Sequence, residues 1–233
     1  MTARRTILRG LAAAALPGAL WPARAAKAAE VDLALVLAID CSYSVDAMEF
    51  ALQTGGMAAA FEDPQVRAAI AANSTGTILV SVVQWSSQGS QVLALPWRLV
   101  DAGAGAERVA REIASLRRAT ADGATSVSAA LTFSAQLFDR LPFSVARRVI
   151  DLSGDGRNNT GPRLALARDY VLGQGVTING LAILQDVATL HFYFEQRLIG
   201  GTGAFVQPVA AYTDFAEAFR LKLLREISMP VVS

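Results

Sequence analysis

The run Leu33-Ala34-Leu35-Val36-Leu37-Ala38-Ile39 contains no polar residue, and it leads directly into Asp40-Cys41-Ser42-Tyr43-Ser44. A strand that is apolar on both faces belongs in the middle of a sheet that helices cover on both sides. One carboxylate and two hydroxyls therefore leave a buried strand at alternating positions, from which their oxygens can converge on one point. Hard cations such as Mg²⁺ favour oxygen ligands of this kind. The alternative is that Ser44 and Asp46 only cap the following helix, with Asp46 and Glu49 at capping-box spacing.

Outward from this stretch, apolar strands alternate with helix-like segments, which is typical of an α/β domain. The predicted strands are 33–39, 78–85, 91–99, 149–153, 176–184 and 204–208, and the main predicted helices are about 46–61, 106–116, 126–138, 162–172 and 214–227. Only Ser86 to Ser90 separates the second and third strands, which is too short for a parallel crossover, so these two form an antiparallel hairpin at a sheet edge. We predict a doubly wound, mostly parallel six-stranded sheet with the order 3-2-1-4-5-6 and helices on both faces.

The composition is that of one folded domain. The chain has 233 residues, of which 53% are hydrophobic and 18% are charged, so it is too apolar for a disordered protein and long enough for one sizeable core. Its 21 basic and 20 acidic residues give a net charge of +1, which indicates neither nucleic acid nor an anionic membrane as a partner. We expect a monomer whose recognition sites are local.

The first residues are typical of an export signal. Arg4-Arg5 precede an apolar stretch from Leu11 to Trp21 and two small-residue cleavage candidates, Ala23-Arg24-Ala25 and Ala26-Lys27-Ala28. The paired arginines resemble a bacterial twin-arginine signal, and an ordinary Sec signal is the alternative. The apolar stretch has about a dozen residues where a spanning helix needs about 20, so we expect no stable membrane anchor. We predict a signal over 1–28, a single domain over 29–233, and a periplasmic or secreted protein.

The chain has one cysteine, Cys41, and one histidine, His191. An internal disulfide is therefore impossible, and the domain must depend on its core. A catalytic cysteine would need a base beside it, but nothing places His191, which lies in an amphipathic segment, next to Cys41. We expect Cys41 to be a small buried side chain.

Two later segments carry the same kinds of oxygen. The strand 149–153 ends in Gly154-Asp155-Gly156, and Thr125 lies just before the helix at 126–138, where capping is its alternative role. Ligands of doubly wound sheets bind beyond the carboxyl ends of the strands, where the strand order reverses. With the order 3-2-1-4-5-6, Asp40 and Asp155 meet at that reversal, and Thr125 approaches from the same face. Asp151 lies inside the strand, so we expect it to pair with an arginine or to support the site.

These residues resemble a known motif. Asp40-x-Ser42-x-Ser44, Thr125 within the run from Gly123 to Leu131, and Asp155 within Ser153-Gly154-Asp155-Gly156 are similar to the metal-ion-dependent adhesion site (MIDAS) of von Willebrand factor type A (vWA) domains and integrin inserted domains. The similarity extends over roughly Val31 to Ile227. The segment from Gly200 to Phe205 and the export signal further resemble a group of uncharacterised exported proteobacterial vWA-domain proteins.

The resemblance implies a role for each site residue. Ser42 and Ser44 would bind the metal directly, Thr125 would bind it when a ligand is present, and Asp40 and Asp155 would act through metal-bound water. The implied cofactor is Mg²⁺, or Mn²⁺ or Ca²⁺ in its place. Neutral hydroxyls cancel little of the divalent charge, so an acidic side chain of a partner protein would complete the coordination.

The sequence thus predicts an exported, metal-dependent protein-binding module of the adhesion type, and not an enzyme. Arg117, Arg118 and Arg157 lie in the loops nearest the site, where they either attract acidic partners or are solvated charges. A metal-assisted hydrolase or phosphoesterase that uses Asp40 or Asp155 is one alternative. A scaffold whose site binds no metal is the other.

Overall fold

The predicted strands pair into one sheet. The computed structural model describes residues 30–141 and 143–229, and the predicted export signal lies outside them. The strands are β1 (Glu30–Asp40), β2 (Thr77–Trp85), β3 (Gln91–Asp101), β4 (Ser144–Gly154), β5 (Thr177–Ile183) and β6 (Val206–Val209). They lie in the order β3-β2-β1-β4-β5-β6, with β2 and β3 antiparallel and every other neighbouring pair parallel. The predicted doubly wound α/β fold, its strand order and its antiparallel edge are confirmed.

Helices cover both faces of this sheet. They are α1 (Ala47–Glu62), α2 (Pro64–Ala72), α3 (Ala104–Ala114), α4 (Val127–Gln136), α5 (Leu164–Gly173), α6 (Leu190–Tyr193) and α7 (Phe215–Ser228), with 3₁₀ turns at Phe138–Arg140 and Tyr212–Asp214 and a π-helical turn at Phe194–Leu198. One apolar core lies between the sheet and α1, α2, α3 and α7, and a second lies between the sheet and α4, α5 and α6. Within the described residues, no helix combines the length and apolar character needed to cross a membrane.

The central strand β1 separates the two cores. Leu33, Leu35 and Leu37 belong to the first core, and Ala34 and Val36 belong to the second. Because successive side chains of a strand point to opposite faces, both sets must be apolar, and this explains the unbroken hydrophobic run. Asp40, the last residue of the strand, is fully buried.

The strand β4 is longer than its apolar segment. It begins at Ser144, five residues before the predicted start at Val149, because Ser144 to Arg148 pair with the first half of β1. Arg147 and Arg148 interrupt the apolar pattern there. The side chain of Arg147 reaches the end of α7 and donates to the carbonyl oxygen of Glu226 at 2.8 Å.

A buried ion cluster joins β4 to α7. The Nζ atom of Lys222 lies 2.6 Å from Asp151 Oδ1 and 2.5 Å from Glu226 Oε1, and the side chains of all three residues are almost inaccessible to solvent. Asn179 of β5 also donates to Glu226 Oε1, at 2.8 Å. Of the two roles expected for Asp151, pairing with an arginine is wrong, because its partner is Lys222. Burial, and secondly the charge of Glu226, raises the pKa of Asp151 to about 7.

Candidate metal centre

The candidate site lies at the carboxyl ends of β1 and β4. Asp40 ends β1, and Ser42 and Ser44 lie in the loop between β1 and α1. Asp155 directly follows β4, and Thr125 directly precedes the N-cap residue of α4. The sheet order makes β1 and β4 neighbours, so residues that are far apart in the sequence reach one place.

A chain of hydrogen bonds joins four of the five predicted residues. The amide of Ser42 donates to Asp40 Oδ1 at 2.7 Å, and the hydroxyls of Ser42 and Ser44 lie 3.3 Å apart. The hydroxyl of Ser44 then donates to Asp155 Oδ1 at 2.7 Å. Ser44 therefore belongs to the site and does not cap α1.

The cap of α1 is Asp46. Its carboxylate accepts from the amide of Glu49 at 2.8 Å, and the carboxylate of Glu49 accepts from the amide of Asp46 at 2.9 Å. This reciprocal pair satisfies the start of the helix without Ser44. The loop thus both begins a helix and presents oxygens, with different residues for each role.

Thr125, the fifth predicted residue, is fixed by its backbone. Its amide donates to Asn159 Oδ1 at 2.9 Å, and its carbonyl accepts from the amide of Asn159 at 2.9 Å. Thr125 does not cap α4, since the N-cap residue is Ser126, whose own side chain makes no capping hydrogen bond. Its hydroxyl lies near Gly156, where a Cβ would stand 3.4 Å from Thr125 Oγ1. The absence of a side chain at Gly156 leaves this hydroxyl facing the loop that carries Asp155.

The two carboxylates of the site lack a compensating positive charge. Asp40 is fully buried, and its Oδ2 atom has no hydrogen-bond partner among the described residues. Burial, and secondly the charge of Asp155, raises the pKa of Asp40 to about 7. A buried carboxylate without a counter-charge is costly, and a nearby cation reduces that cost.

The donor set fits a hard divalent cation. Asp40, Ser42, Ser44, Thr125 and Asp155 offer only oxygen atoms, which Mg²⁺, Mn²⁺ and Ca²⁺ accept as ligands. Within residues 30–141 and 143–229, no three His, Cys, Asp or Glu side chains cluster in a way that could hold a metal. An ion at this site would therefore depend on hydroxyls together with only two carboxylates.

Sequence reasoning missed Tyr212 as a site residue. Its hydroxyl donates to Asp155 Oδ2 at 3.0 Å, so each oxygen of Asp155 accepts one hydrogen bond. Burial raises the pKa of Tyr212 well above its usual range. Tyr212 lies in the 3₁₀ turn that precedes α7, and no spacing in the sequence connects this turn to the site.

The loop after β4 has a second function that the sequence did not reveal. Asn159 holds Thr125, and Asn158 Oδ1 accepts from the amide of Ser128 at 2.9 Å. The two asparagines therefore join the loop that carries Asp155 to the start of α4. The signal that could have found them is the polar run Asn158-Asn159-Thr160 in the loop that follows β4.

The loop arginines differ in role. Arg118 is partly buried and donates to the carbonyl oxygens of Cys41 and Ser42 at 2.6 Å and 3.0 Å, so it holds the site loop in place. Arg117 and Arg157 are exposed. Cys41 is buried, as expected, and burial raises the pKa of its thiol to about 11.

The chain has the fold of vWA-type domains. Solved structures with the same fold include proximal thread matrix protein 1 from the mussel byssus with a zinc-occupied MIDAS motif, at 17% identity and a TM-score of 0.60 over 87% of this chain. A von Willebrand factor type A protein from Catenulispora acidiphila matches at 23% identity and 0.57 over 84%. The pilus adhesin SpaC from Lactobacillus rhamnosus GG matches at 13% and 0.57 over 87%.

The chain belongs to the family described as "Protein of unknown function (DUF1194)", whose model matches residues 30–231. Comparison with curated proteins gives no match. The chain spans 48% of the mussel protein, 43% of the Catenulispora protein and 31% of SpaC. At these identities the likeness shows the fold alone.

Proposed function

We propose that this domain is a metal-dependent protein-binding module of the adhesion type. Asp40, Ser42, Ser44, Thr125 and Asp155 would hold a divalent cation, Mg²⁺ in the first place, that captures an acidic side chain of a partner protein. The observation that carries the proposal is the buried, unpartnered Oδ2 atom of Asp40, which lies in the same hydrogen-bonded group as Asp155 and two serine hydroxyls. This arrangement needs a positive charge and leaves hydroxyl oxygens to bind it.

Two kinds of solved structure with the same fold support this proposal. One is a matrix protein whose MIDAS motif is occupied by zinc, and the other is a pilus adhesin. When bound, the cation supplies a positive charge and a coordination position that an anionic oxygen can take. Asp40 and Asp155, acting through metal-bound water as the resemblance implies, would screen only part of that charge.

The surroundings of the site also suit a protein partner. Tyr43 is 76% exposed between Ser42 and Ser44, and Met48 is 74% exposed in the first turn of α1. Aromatic residues and methionine are enriched in protein interfaces. An acidic residue that binds the cation would bring its neighbours against these two side chains.

A thermal melt in Mg²⁺ and in chelator tests the metal site. Saturation at about 100 times the dissociation constant adds about 2.7 kcal/mol of stability, and for a domain of this size this raises the melting temperature by about 5 to 10 °C. We expect this shift in the wild type and not in Asp40→Asn. In chelator, Asp40→Asn should be at least as stable as the wild type, because it removes a buried charge that no positive side chain compensates and whose Oδ2 atom has no hydrogen-bond partner.

Asp32→Asn is the matched control. Asp32 is also buried on β1, at the opposite end of the strand, and it accepts hydrogen bonds from Ser74 and Thr75. This variant should melt lower than the wild type in both buffers and keep the Mg²⁺ shift. A wild type that melts at the same temperature in Mg²⁺ and in chelator would leave only the scaffold alternative. Metal-dependent hydrolysis of a generic phosphoester, lost in Asp155→Asn, would favour the hydrolase.

We also propose that the domain works in the periplasm or outside the cell. Both cleavage candidates precede Glu30, the first residue of β1, so removal of 1–25 or 1–28 leaves the sheet complete. N-terminal sequencing of periplasmic protein should find Ala26 or Ala29. The substitution of Arg4 and Arg5 by lysine should keep the protein in the cytoplasm, whereas normal export would indicate the Sec route.

A further inference from the structure

A groove of 560 Å³ begins at the loop that follows Asp155. It extends over the first residues of α5 and along α6 and the π-helical turn, and its lining includes Arg157, Arg163, Thr189, Phe192, Tyr193 and Arg197. Arg157 is two residues from Asp155, so the groove and the candidate metal centre share one loop. Neither the motif nor the comparisons assign a role to this groove.

The charge of the groove is entirely positive. Arg157, Arg163 and Arg197 are exposed, and the lining contains no aspartate or glutamate. Within the described ranges none of these three arginines forms an ion pair, whereas arginines elsewhere on the surface do so. The first turn of α5 also lines the groove, so the positive end of the helix dipole adds to the field of the arginines.

One of these arginines is already held in position. Arg157 donates to Thr189 Oγ1 at 3.1 Å, and its guanidinium lies 5.5 Å from the centre of the Tyr193 ring. A guanidinium fixed in this way loses less conformational freedom when it binds, and its remaining N–H groups suit the two oxygens of a carboxylate. Phe192, which is 53% exposed, adds an apolar surface to the same groove. Arginine with aromatic residues is a composition that is enriched in protein interfaces.

We propose that this groove binds a second acidic group of the same partner, and therefore that the partner presents an extended acidic segment of polypeptide. The inference rests on the proposed function, because the first carboxylate of that segment is the one captured at the metal centre. The charge of the groove selects an anionic occupant, and the exposed Phe192 with the Tyr193 ring selects a polypeptide that also carries an aromatic or apolar side chain. Two linked contacts bind far more tightly than either alone when their spacing allows both.

The test measures binding of a short labelled peptide of aspartate, glutamate and tyrosine by fluorescence anisotropy, in Mg²⁺ and in chelator. A peptide of asparagine, glutamine and tyrosine is the neutral comparison. The groove variant is Arg163→Gln with Arg197→Gln, which leaves Arg157 and its contacts intact. The matched control is Arg108→Gln with Arg111→Gln, which removes the same charge from exposed positions of α3, on the other face of the sheet.

We expect the groove variant to bind the acidic peptide about tenfold more weakly than the wild type, and the α3 variant to bind it nearly as well as the wild type. Chelator should weaken binding to both further, and both should keep the Mg²⁺ shift in melting temperature. Binding that responds to chelator but not to the groove variant would overturn this inference and leave the metal function standing.

Binding that responds to the groove variant but not to chelator would contradict both the metal function and the shared partner. Equal losses in the groove and α3 variants would overturn the inference, since they would indicate only the net charge of the protein. Dextran sulfate bound through Arg163 and Arg197 in preference to the acidic peptide would replace the polypeptide by an anionic polysaccharide. No binding of the peptide by the wild type in Mg²⁺ would overturn the inference as well.

Discussion

Tyr212 determines how Asp155 is presented at the candidate metal centre. Its hydroxyl and that of Ser44 donate to the two different oxygens of the Asp155 carboxylate, which is itself buried. Two donors from separate elements fix the plane of the carboxylate before any ion arrives. Partners of this kind commonly orient metal-binding carboxylates and raise their affinity.

Tyr212→Phe removes one of these donors and keeps the ring. The buried carboxylate oxygen then loses a hydrogen bond, so we expect the free energy of unfolding in chelator to fall by about 1 to 2 kcal/mol. The affinity for Mg²⁺ should fall about tenfold, because Asp155 becomes less well oriented. Urea unfolding and isothermal titration calorimetry measure the two effects. Tyr43→Phe is the control, since Tyr43 is 76% exposed and should change neither quantity; an unchanged Mg²⁺ affinity in Tyr212→Phe would contradict this role.

At the scale of elements, α1 and α7 pack closely because α1 carries a glycine at their contact. A Cβ at Gly56 would lie 2.9 Å from the Cα of Ala216 and 2.9 Å from the Phe215 ring. A methyl group therefore cannot fit unless the helices separate. The neighbouring Gly55, on the same helix, would place a Cβ where nothing lies within 4 Å.

The two glycines should respond to alanine with opposite signs. Gly56→Ala should lower the free energy of unfolding by about 1 to 3 kcal/mol, because it overpacks the contact with α7. Gly55→Ala should raise it by about 0.5 to 1 kcal/mol, because alanine has the better helix propensity and meets no neighbour. Urea unfolding of both variants in chelator measures the difference. A Gly56→Ala protein as stable as Gly55→Ala would contradict this prediction, since it would show that α1 and α7 can accommodate the methyl group without loss of stability.

The sequence predicted the central strand from its complete burial. β1 is apolar on both faces, so its pattern alone placed it in the middle of the sheet, and the alternation of strands and helices indicated a doubly wound sheet, for which the order 3-2-1-4-5-6 was assumed. The start of β4 could not be predicted, because Arg147 and Arg148 break the apolar run while their backbone still pairs with β1. A strand that is held by its neighbour, and not by its own side chains, leaves no periodic signal.

The residues of the candidate site also differ in whether the sequence could predict them. Asp40 and Asp155 could be predicted together because each ends a strand, and the sheet order makes those strands neighbours. Tyr212 could not be predicted, since its contact depends on how the turn before α7 reaches a residue 57 positions away. Metal binding by the site residues stays a prediction, which the Mg²⁺ melt tests.

At the scale of the whole molecule, the described chain carries two buried acidic clusters of different kinds. The first, with Asp40 and Asp155, has no positive side chain bonded to either carboxylate among the described residues and suits an external cation. The second has its own cation, Lys222, but pairs it with both Asp151 and Glu226. Two carboxylates and one ammonium leave one excess negative charge when all are ionised. Burial, and secondly the negative charge of Glu226, raises the pKa of Asp151 to about 7.

This excess charge predicts how the stability of the domain depends on pH. The pKa of Asp151 is about 7 in the folded protein against an ordinary value of 3.8, so the folded state binds one more proton than the unfolded state between these values. Stability therefore falls as the pH rises through this window, and the full cost is present above it. Asp151→Asn removes the titrating group, so its stability relative to the wild type should increase from about pH 5 to about pH 8. Urea unfolding of both proteins in chelator at the two pH values measures this difference.

The comparison of Asp151→Asn with the wild type separates the effect of Asp151 titration on stability from that of Asp40. Asp40 has a pKa that burial also raises to about 7 in the absence of metal, but it is present in both proteins, so its contribution cancels in the difference. Glu226→Gln should weaken the same pH dependence, because it removes the second cause of the raised pKa and leaves Asp151 and Lys222 as a balanced pair, although Asp151 stays buried. Asp139→Asn, at an exposed position, should leave the dependence as it is in the wild type. A constant difference between Asp151→Asn and the wild type across this pH range would mean that Asp151 stays ionised in the folded protein, and that Lys222 compensates both carboxylates.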